Sequence, residues 1–270
     1  MTTTIQVQFQ STMDARGRIE RMRQALDRGI EPLRIRPPSD AWVSIVGYGP
    51  SLRETWSAVT HPMITCSGAH DFMIERGVVP NWHAESDPWP AKAMFTKNAH
   101  KDVTYLIASC CDPQVWENVK GQARIWHCGE PETKDWIQEN DPSGLITGFG
   151  TTIGERCVEL AVILGYRKMR FFGIDCSFTD EQRAGPHQGG KQDEIVVDIR
   201  GFGEFRTSHA MLYSARTLVN ALLKDGIECE IYGNGLARAL LTSTIQRRED
   251  QLSGKFSRRG NIQPEFLRAV

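Results

Sequence analysis

The sequence predicts an α/β fold built on a doubly wound, mostly parallel, Rossmann-like sheet. Three observations carry this. Short apolar, β-branched runs alternate with longer stretches of helical period. Such alternation implies parallel strands joined by crossover helices, hence a sheet covered on both faces. Hydrophobic residues make up 40% and charged residues 24% of the chain, the composition of a globular protein. One helix is plain in the pattern: Ile153, Cys157, Leu160, Ala161 and Leu164 fall three and four apart on one stripe.

In order, strands are expected over 42–46, 63–66, 103–108, 123–126, 169–173 and 228–232. Helices are expected over 50–59, 69–76, 113–119, 152–164 and 208–224. Thr151 or Thr152 can cap the fourth of these helices, and Gly165 stands where it should stop. The ends differ from the middle. Residues 1–39 carry one amphipathic helix, roughly 14–28, and then Arg36-Pro37-Pro38, which stiffens the entry to the first strand. Residues 245–270 form a charged tail with Arg247, Arg248, Lys255, Arg258 and Arg259. The expected organisation is an N-terminal helical extension (1–39), a nucleotide-binding domain (40–244) and the tail (245–270).

Charge and cysteine content narrow the classes of function. With 32 Lys and Arg against 33 Asp and Glu the formal charge is −1, so a broad electrostatic grip on nucleic acid is not expected, although a local basic patch stays open. No apolar run approaches the ~20 residues that span a bilayer, and the N-terminal stretch has neither a basic nor an apolar signal region. Seven cysteines without CxxC pairs suit buried thiols in a reducing compartment. The chain is expected in the cytoplasm, away from membranes; a homo-oligomer stays open.

The segment Ser44-Ile45-Val46-Gly47-Tyr48-Gly49-Pro50-Ser51-Leu52 runs from an apolar strand into Gly-x-Gly, with Pro50 where a helix should begin. Glycines let a phosphate approach the backbone, and free N–H groups at a helix start attract it. The competing reading is a structural turn. NAD is disfavoured, because Leu52 stands where a dinucleotide loop has its third glycine and the second strand ends Thr65-Cys66-Ser67-Gly68 without an acidic residue. A Walker loop is absent.

These residues, followed by Ser67-Gly68-Ala69, Gly77-x-x-Pro80 and Glu85-Ser86-Asp87-Pro88, resemble the MptE-like family, the 6-hydroxymethylpterin diphosphokinases. The second half continues the likeness with Thr147-Gly148-Phe149-Gly150-Thr151, Leu164-Gly165, Phe171-Phe172-Gly173-Ile174-Asp175 and Gly185-Pro186-His187. The layout over about 41–240 is also similar to bacterial sialyltransferases and motility accessory factor glycosyltransferases, which implies a sialyltransferase-like fold and a CMP-type nucleotide-sugar donor as co-substrate. The resemblance implies that the two glycine loops hold the nucleotide and that His209 stands at the place of a catalytic base. Tyr48 and Ser67 occupy positions where those transferases commonly carry asparagine, and Cys176-Ser177-Phe178 replaces an expected tyrosine.

The candidate catalytic residues are His209, His187 and Asp175. The candidate nucleotide-binding residues are Gly47, Gly49, Pro50, Ser51, Ser67, Asp87, Thr147, Gly148, Gly150 and Thr151. Asp87 and Asp175 stand near strand ends, where open α/β sheets bind ligands; either could reach ribose or Mg²⁺, and the plainer readings are an Asx turn and a cap. His187 lies in a glycine-rich loop, and His209 begins a helix, where it could take a proton from an acceptor hydroxyl. His70, His83, His100 and His127 lack ligand spacing and read as structural or surface residues. Trp82, Trp89, Trp116, Trp126 and Trp136 could line an acceptor pocket or pack the core.

Three functions compete. The first is a glycosyltransferase with a nucleotide-sugar donor. The second is a Mg²⁺-dependent diphosphokinase moving diphosphate from ATP to a hydroxymethylpterin, with Asp87 and Asp175 as metal ligands. The third is a non-catalytic nucleotide- or sugar-binding module.

Overall fold

The computed structural model describes residues 13–252, apart from 120, 149, 181–182, 186–192 and 225. Helix α1 (Ala15–Leu26) starts at Asp14, whose side chain accepts the Gly17 N–H at 2.7 Å. Then follow β1 (Ser39–Val46), α2 (Leu52–Thr55), β2 (Met63–Cys66), α3 (Ala69–Ile74), β3 (Trp82–Glu85), β4 (Thr104–Ala108), α4 (Pro113–Val119) and β5 (Ala123–Cys128). The second half holds α5 (Lys134–Asn140), β6 (Ile146–Thr147), α6 (Ile153–Ile163), β7 (Tyr166–Phe172), β8 (Glu194–Ile199), β9 (Gly203–Ser208), α7 (His209–Lys224), β10 (Glu228–Ile231) and α8 (Leu236–Leu252).

Eight strands form one sheet in the order β10-β7-β1-β2-β3-β4-β5-β6, and every pairing in it is parallel. The central strands are buried along their length, and successive residues alternate between the two faces. Ile45, Ile64 and Phe171 join the larger core, while their neighbours Val46, Met63 and Phe172 join a second cluster with Leu52, Phe72 and Met73. Both faces are therefore covered, as expected of a doubly wound sheet. Helix α6 begins at a Thr152–Glu155 capping box, and Gly165 past its end has φ +94°, a conformation that suits glycine.

The chain steps outward from β1 to β6, then returns to the other side of β1 as β7. That reversal puts the switch in strand order at the carboxyl ends of β1 and β7, the usual ligand position in such sheets. Absent from the expectation were the strands β3 and β6, the helix α5, and the antiparallel hairpin β8–β9 that stands apart from the main sheet. Helix α7 starts at His209, because Ser208 still belongs to β9. Met22 and Ala25 of α1, and Leu33 after it, lie in the main core, and Leu33 N–H donates to Ile125 O at 2.9 Å. The expected boundary after 244 falls inside α8. No helix among the described residues is long and apolar enough to cross a membrane.

Candidate functional site

The first glycine loop is bound tightly to the end of β7. Gly47 N–H donates to Phe172 O and Gly49 N–H to Gly173 O, each at 2.8 Å, and Ser51 N–H donates to Asp175 Oδ2 at 3.0 Å. This close approach explains both glycines: a Cβ on Gly47 or Gly49 would stand 2.6 or 2.7 Å from the Gly173 carbonyl oxygen. The expectation that these amides are open to phosphate is thus corrected, since a carbonyl or a carboxylate of the protein already accepts each one. Pro50 lies in the turn before α2 rather than at its first helical position, with Ser51 as N-cap. Asp175 is buried, and that burial raises its carboxyl above the usual range against the opposing pull of the Ser51 hydrogen bonds. Expected as a catalytic or metal-binding group, it clasps the loop to β7.

The second loop repeats the pattern. Thr147 ends β6 buried, Gly148 follows in open space, and Gly150 takes φ +109° against the Glu155 side chain. The amides of Thr151 and Thr152 donate to Glu155 Oε2 at 2.8 and 2.9 Å. Here too the donors expected to meet a phosphate are taken, by the helix's own capping glutamate. The hydroxyl of Thr217 on α7 donates to the other oxygen of Glu155. Burial again raises this carboxyl. Arg156 bridges Thr147 Oγ1 at 3.3 Å and Glu130 at 2.8 Å.

Ser67, at the end of β2, adopts φ +51°, rare for a residue with a Cβ. Its amide is directed at Glu85, the last residue of β3. Glu85 is 3% exposed, and burial pushes its carboxyl up to about 8 despite the attraction of Lys92. His83 Nε2 stands 3.3 Å from Glu85 Oε1, and burial lowers this imidazole to about 3. Behind them His83 Nδ1 meets Thr65 Oγ1 at 3.1 Å, and His70 joins Asp71 at 2.6 Å and the Tyr105 hydroxyl at 2.9 Å. Both His70 and His83 are fully buried. Glu85 was not singled out as a site residue, although a carboxylate ending a buried strand beside Asp87 was a usable signal.

Asp87 forms the Asx turn: Trp89 N–H donates to its Oδ1 at 2.9 Å, and Lys92 Nζ lies 3.9 Å from Oδ2. Trp89 is half exposed and borders a cavity of about 430 Å³ with Met13, Pro88, Pro90 and Ala91. Trp82, Trp116 and Trp126 instead fill the core, and Trp136 packs against it.

The hairpin brings the start of α7 near the turn after β7. Thr207 Oγ1–H donates to Cys176 O at 2.7 Å and Phe178 N–H to Arg206 O at 2.7 Å, which ties the end of β9 to the turn after β7. His209 follows directly and opens α7, half-buried. Cys176 has φ +52°, a second strained residue on this edge. His187 lies outside the described residues. Arg183, not anticipated from the sequence, sits on the first loop through its neighbour: Ala184 N–H donates to Tyr48 O at 3.0 Å, and the Arg53 guanidinium donates to Ala184 O. Among the described residues, no three His, Cys, Asp or Glu side chains form a metal-holding group. Asp87 and Asp175 stand as separate carboxylates, not as a built cluster, and each already accepts a backbone N–H, from Trp89 and Ser51 respectively.

The architecture has solved counterparts. The MAf glycosyltransferase from Magnetospirillum magneticum AMB-1 matches with a TM-score of 0.56 and 15% identity, over 91% of this chain and 44% of that one. The chain therefore spans less than half the length of that protein, and the likeness is one of fold. The sialyltransferase CstII from Campylobacter jejuni, solved with cytidine-5'-monophosphate, matches at 16% identity and a TM-score of 0.42, over 74% of this chain and 86% of that one. No match was found among curated proteins. The family described as 6-hydroxymethylpterin diphosphokinase MptE-like matches residues 19–181, more than half of the sequence, and the chain belongs to that MptE-like family.

Proposed function

We propose that the protein is a nucleotide-dependent group transferase, a glycosyltransferase that takes its donor as a CMP-type nucleotide sugar. The observation that carries this is the meeting of three segments at the carboxyl edge of the sheet. The Gly47–Ser51 loop, the Asp175–Cys176 turn and the His209 helix start are tied together by the Ser51–Asp175 and Thr207–Cys176 hydrogen bonds. The fold shared with a glycosyltransferase and the motif likeness to sialyltransferases support the same reading. In direct displacement, an acceptor hydroxyl oxygen attacks the anomeric carbon and the bond to the donor phosphate breaks. The phosphate leaves with the electron pair, and His209 takes the hydroxyl proton. Ser67, Asp87, Thr147, Gly148, Gly150 and Thr151 then line the remainder of the nucleotide and sugar path.

His209→Ala is expected to lower kcat by about 10²–10⁴-fold while nucleotide affinity holds. Unchanged turnover would remove His209 from the chemistry. A thermal-shift screen against CMP, CDP, UDP, GDP, ADP, ATP and NAD, with and without Mg²⁺, tests the donor class. A ligand at ~100 times its Kd adds about 2.7 kcal/mol. A metal-independent response to CMP is the expected result.

The family's description favours a second reading, transfer of diphosphate from ATP to a hydroxymethylpterin. Mg²⁺ would then neutralise the triphosphate, held by Asp87 and Asp175. A response confined to ATP with Mg²⁺ selects that reading, and turnover unaltered by EDTA rejects it.

A further inference from the structure

All seven cysteines are free thiols, and five of them are buried. Two of the buried ones meet at the carboxyl edge of the sheet. Cys110 lies two residues past Ala108, the end of β4, and Cys128 ends β5 two residues past Trp126; Ala108 and Trp126 are register partners. The ladder runs on by one residue, since Ser109 N–H donates to Trp126 O at 2.8 Å. The thiols come one position later, with their sulfurs 3.8 Å apart. Neighbouring strands lie about 4.8 Å apart, inside the ~4.4–6.8 Å between Cα atoms that a disulfide spans. Turning the two side chains about their Cα–Cβ bonds is enough to bring the sulfurs to the ~2.0 Å of a covalent link.

The surroundings make the two sulfurs chemically unequal. Cys110 donates its S–H to Cys128, with Ser86 O, 3.4 Å away, as its other acceptor. That hydrogen bond and the facing guanidiniums of Arg156 and Arg18 hold the Cys128 thiol below its usual range, against burial and Glu130. Cys110, as the donor, is held well above its own. The thiolate is the reactive form of cysteine, so Cys128 is the nucleophile and Cys110 the thiol placed to resolve it. Cys157 also has a thiol neighbour, Cys66, but it faces Glu85 rather than a cation and is raised well above the thiol range, first by that neighbour and then by burial. Cys110 is 4% exposed and Cys128 2%, a closure that favours the smallest oxidants over one the size of glutathione disulfide.

We propose that Cys110 and Cys128 are a peroxide-modification site, at which a hydroperoxide closes a reversible disulfide between the ends of β4 and β5. The Cys128 thiolate attacks the terminal peroxide oxygen, the O–O bond breaks, and the departing oxygen takes the electron pair and a proton from solvent. The Cys110 sulfur then attacks the Cys128 sulfenic acid. An S–S bond forms, the S–O bond breaks, and hydroxide leaves with the Cys110 proton as water. The two thiols give up two electrons and the peroxide gains them. Two equivalents of a small thiol reopen the link by exchange and leave as their own disulfide. Cys128 adjoins Gly129, whose N–H donates to Thr147 O at 2.9 Å, so the link fastens the strand end that moors the second glycine loop.

The test treats the folded, reduced full chain with hydrogen peroxide and maps its cysteines by tandem mass spectrometry. The expected product is a Cys110–Cys128 link with a loss of about 2 Da, two hydrogens, reversed by dithiothreitol. It should form at least about 10-fold faster than any link between Cys66 and Cys157, and oxidised glutathione at the same concentration should not produce it. In Cys110→Ser, which lacks the resolving thiol, dimedone should label Cys128 after peroxide treatment; in Cys128→Ser, Cys110 should stay unlabelled. An unchanged thermal unfolding midpoint shows that each variant is folded, and the mapping of the parent chain decides the matter if either is not. No Cys110–Cys128 link in the folded chain, a link that appears only in urea, or equal oxidation of Cys66 and Cys157 overturns the proposal. So does a link that oxidised glutathione forms equally well, or labelling of Cys110 in preference to Cys128.

Discussion

Glu85 and His83 touch in the interior and respond oppositely to pH. The Glu85 carboxyl, ordinarily near 4.5, is pushed up to about 8 by burial, so the folded state holds its proton more tightly than the unfolded chain. Its stabilising contribution is full below pH 4.5 and is lost as pH rises through 8. The His83 imidazole is lowered from 6.5 to about 3, so its contribution is full above 6.5 and is lost as pH falls toward 3. Between 4.5 and 6.5 the two slopes oppose each other, and the pair by itself yields a plateau with a decline on each side. Glu85→Gln keeps an acceptor for the Ser67 amide and removes the alkaline decline. The expected gain relative to the parent is about 2 kcal/mol between pH 6.5 and 8, at about 1.4 kcal/mol per pH unit, read from unfolding midpoints across that range. A parallel decline in parent and variant would mean that Glu85 ionises freely. The strand-end glycines and Asp175 were legible in the sequence as a candidate site. Sequence alone could not show what takes the loop amides, because Ser51 and Asp175 meet across 124 positions of chain.

The helix and strand pattern was legible wherever burial followed a simple period. Residues 113–119 and 63–66 match observed elements, and the stripe of α6 and its Gly165 stop are both present. Strand β3 escaped because two of its four buried residues, His83 and Glu85, are polar and break any apolar run. The hairpin escaped because Glu194, Asp198, Glu204 and Arg206 interrupt any apolar run, and Val197 and Ile199 are its buried hydrophobics. Yet that hairpin carries the chain to His209. Thr207→Val should therefore lower kcat more than nucleotide affinity, because it cuts the Cys176 tie that seats β9 beside the turn after β7. On α6, Glu155→Ala strips the acceptor from two backbone amides and the Thr217 hydroxyl together. The expected cost is about 2–4 kcal/mol, measured by urea unfolding, with a smaller loss for Glu155→Gln. A change below about 0.5 kcal/mol would show that water replaces the carboxylate at no cost.

At the scale of the whole molecule, the N-terminal helix shares the main core. Met22 is fully buried there, with Arg21 paired to Asp112 at 2.9 Å above it. Met22→Ala should cost about 2–5 kcal/mol and shift a single unfolding transition. A separate early transition would instead mark α1 as an independent appendage. We retain the division at 1–39, 40–244 and 245–270 as a proposal about organisation, and this unfolding measurement bears on its first boundary. The return of β7 to the flank of β1 has a consequence for biosynthesis. Asp175 emerges from the ribosome 124 residues after Ser51, about 6–25 s later at ordinary elongation rates of ~5–20 residues per second. Throughout that interval β1 has its β2 side available for pairing and no partner on the other. A nascent chain halted before Phe172 would thus carry the glycine motif without the β7 carbonyls that take its amides, and would offer an apolar strand edge that chaperones must shield until translation resumes.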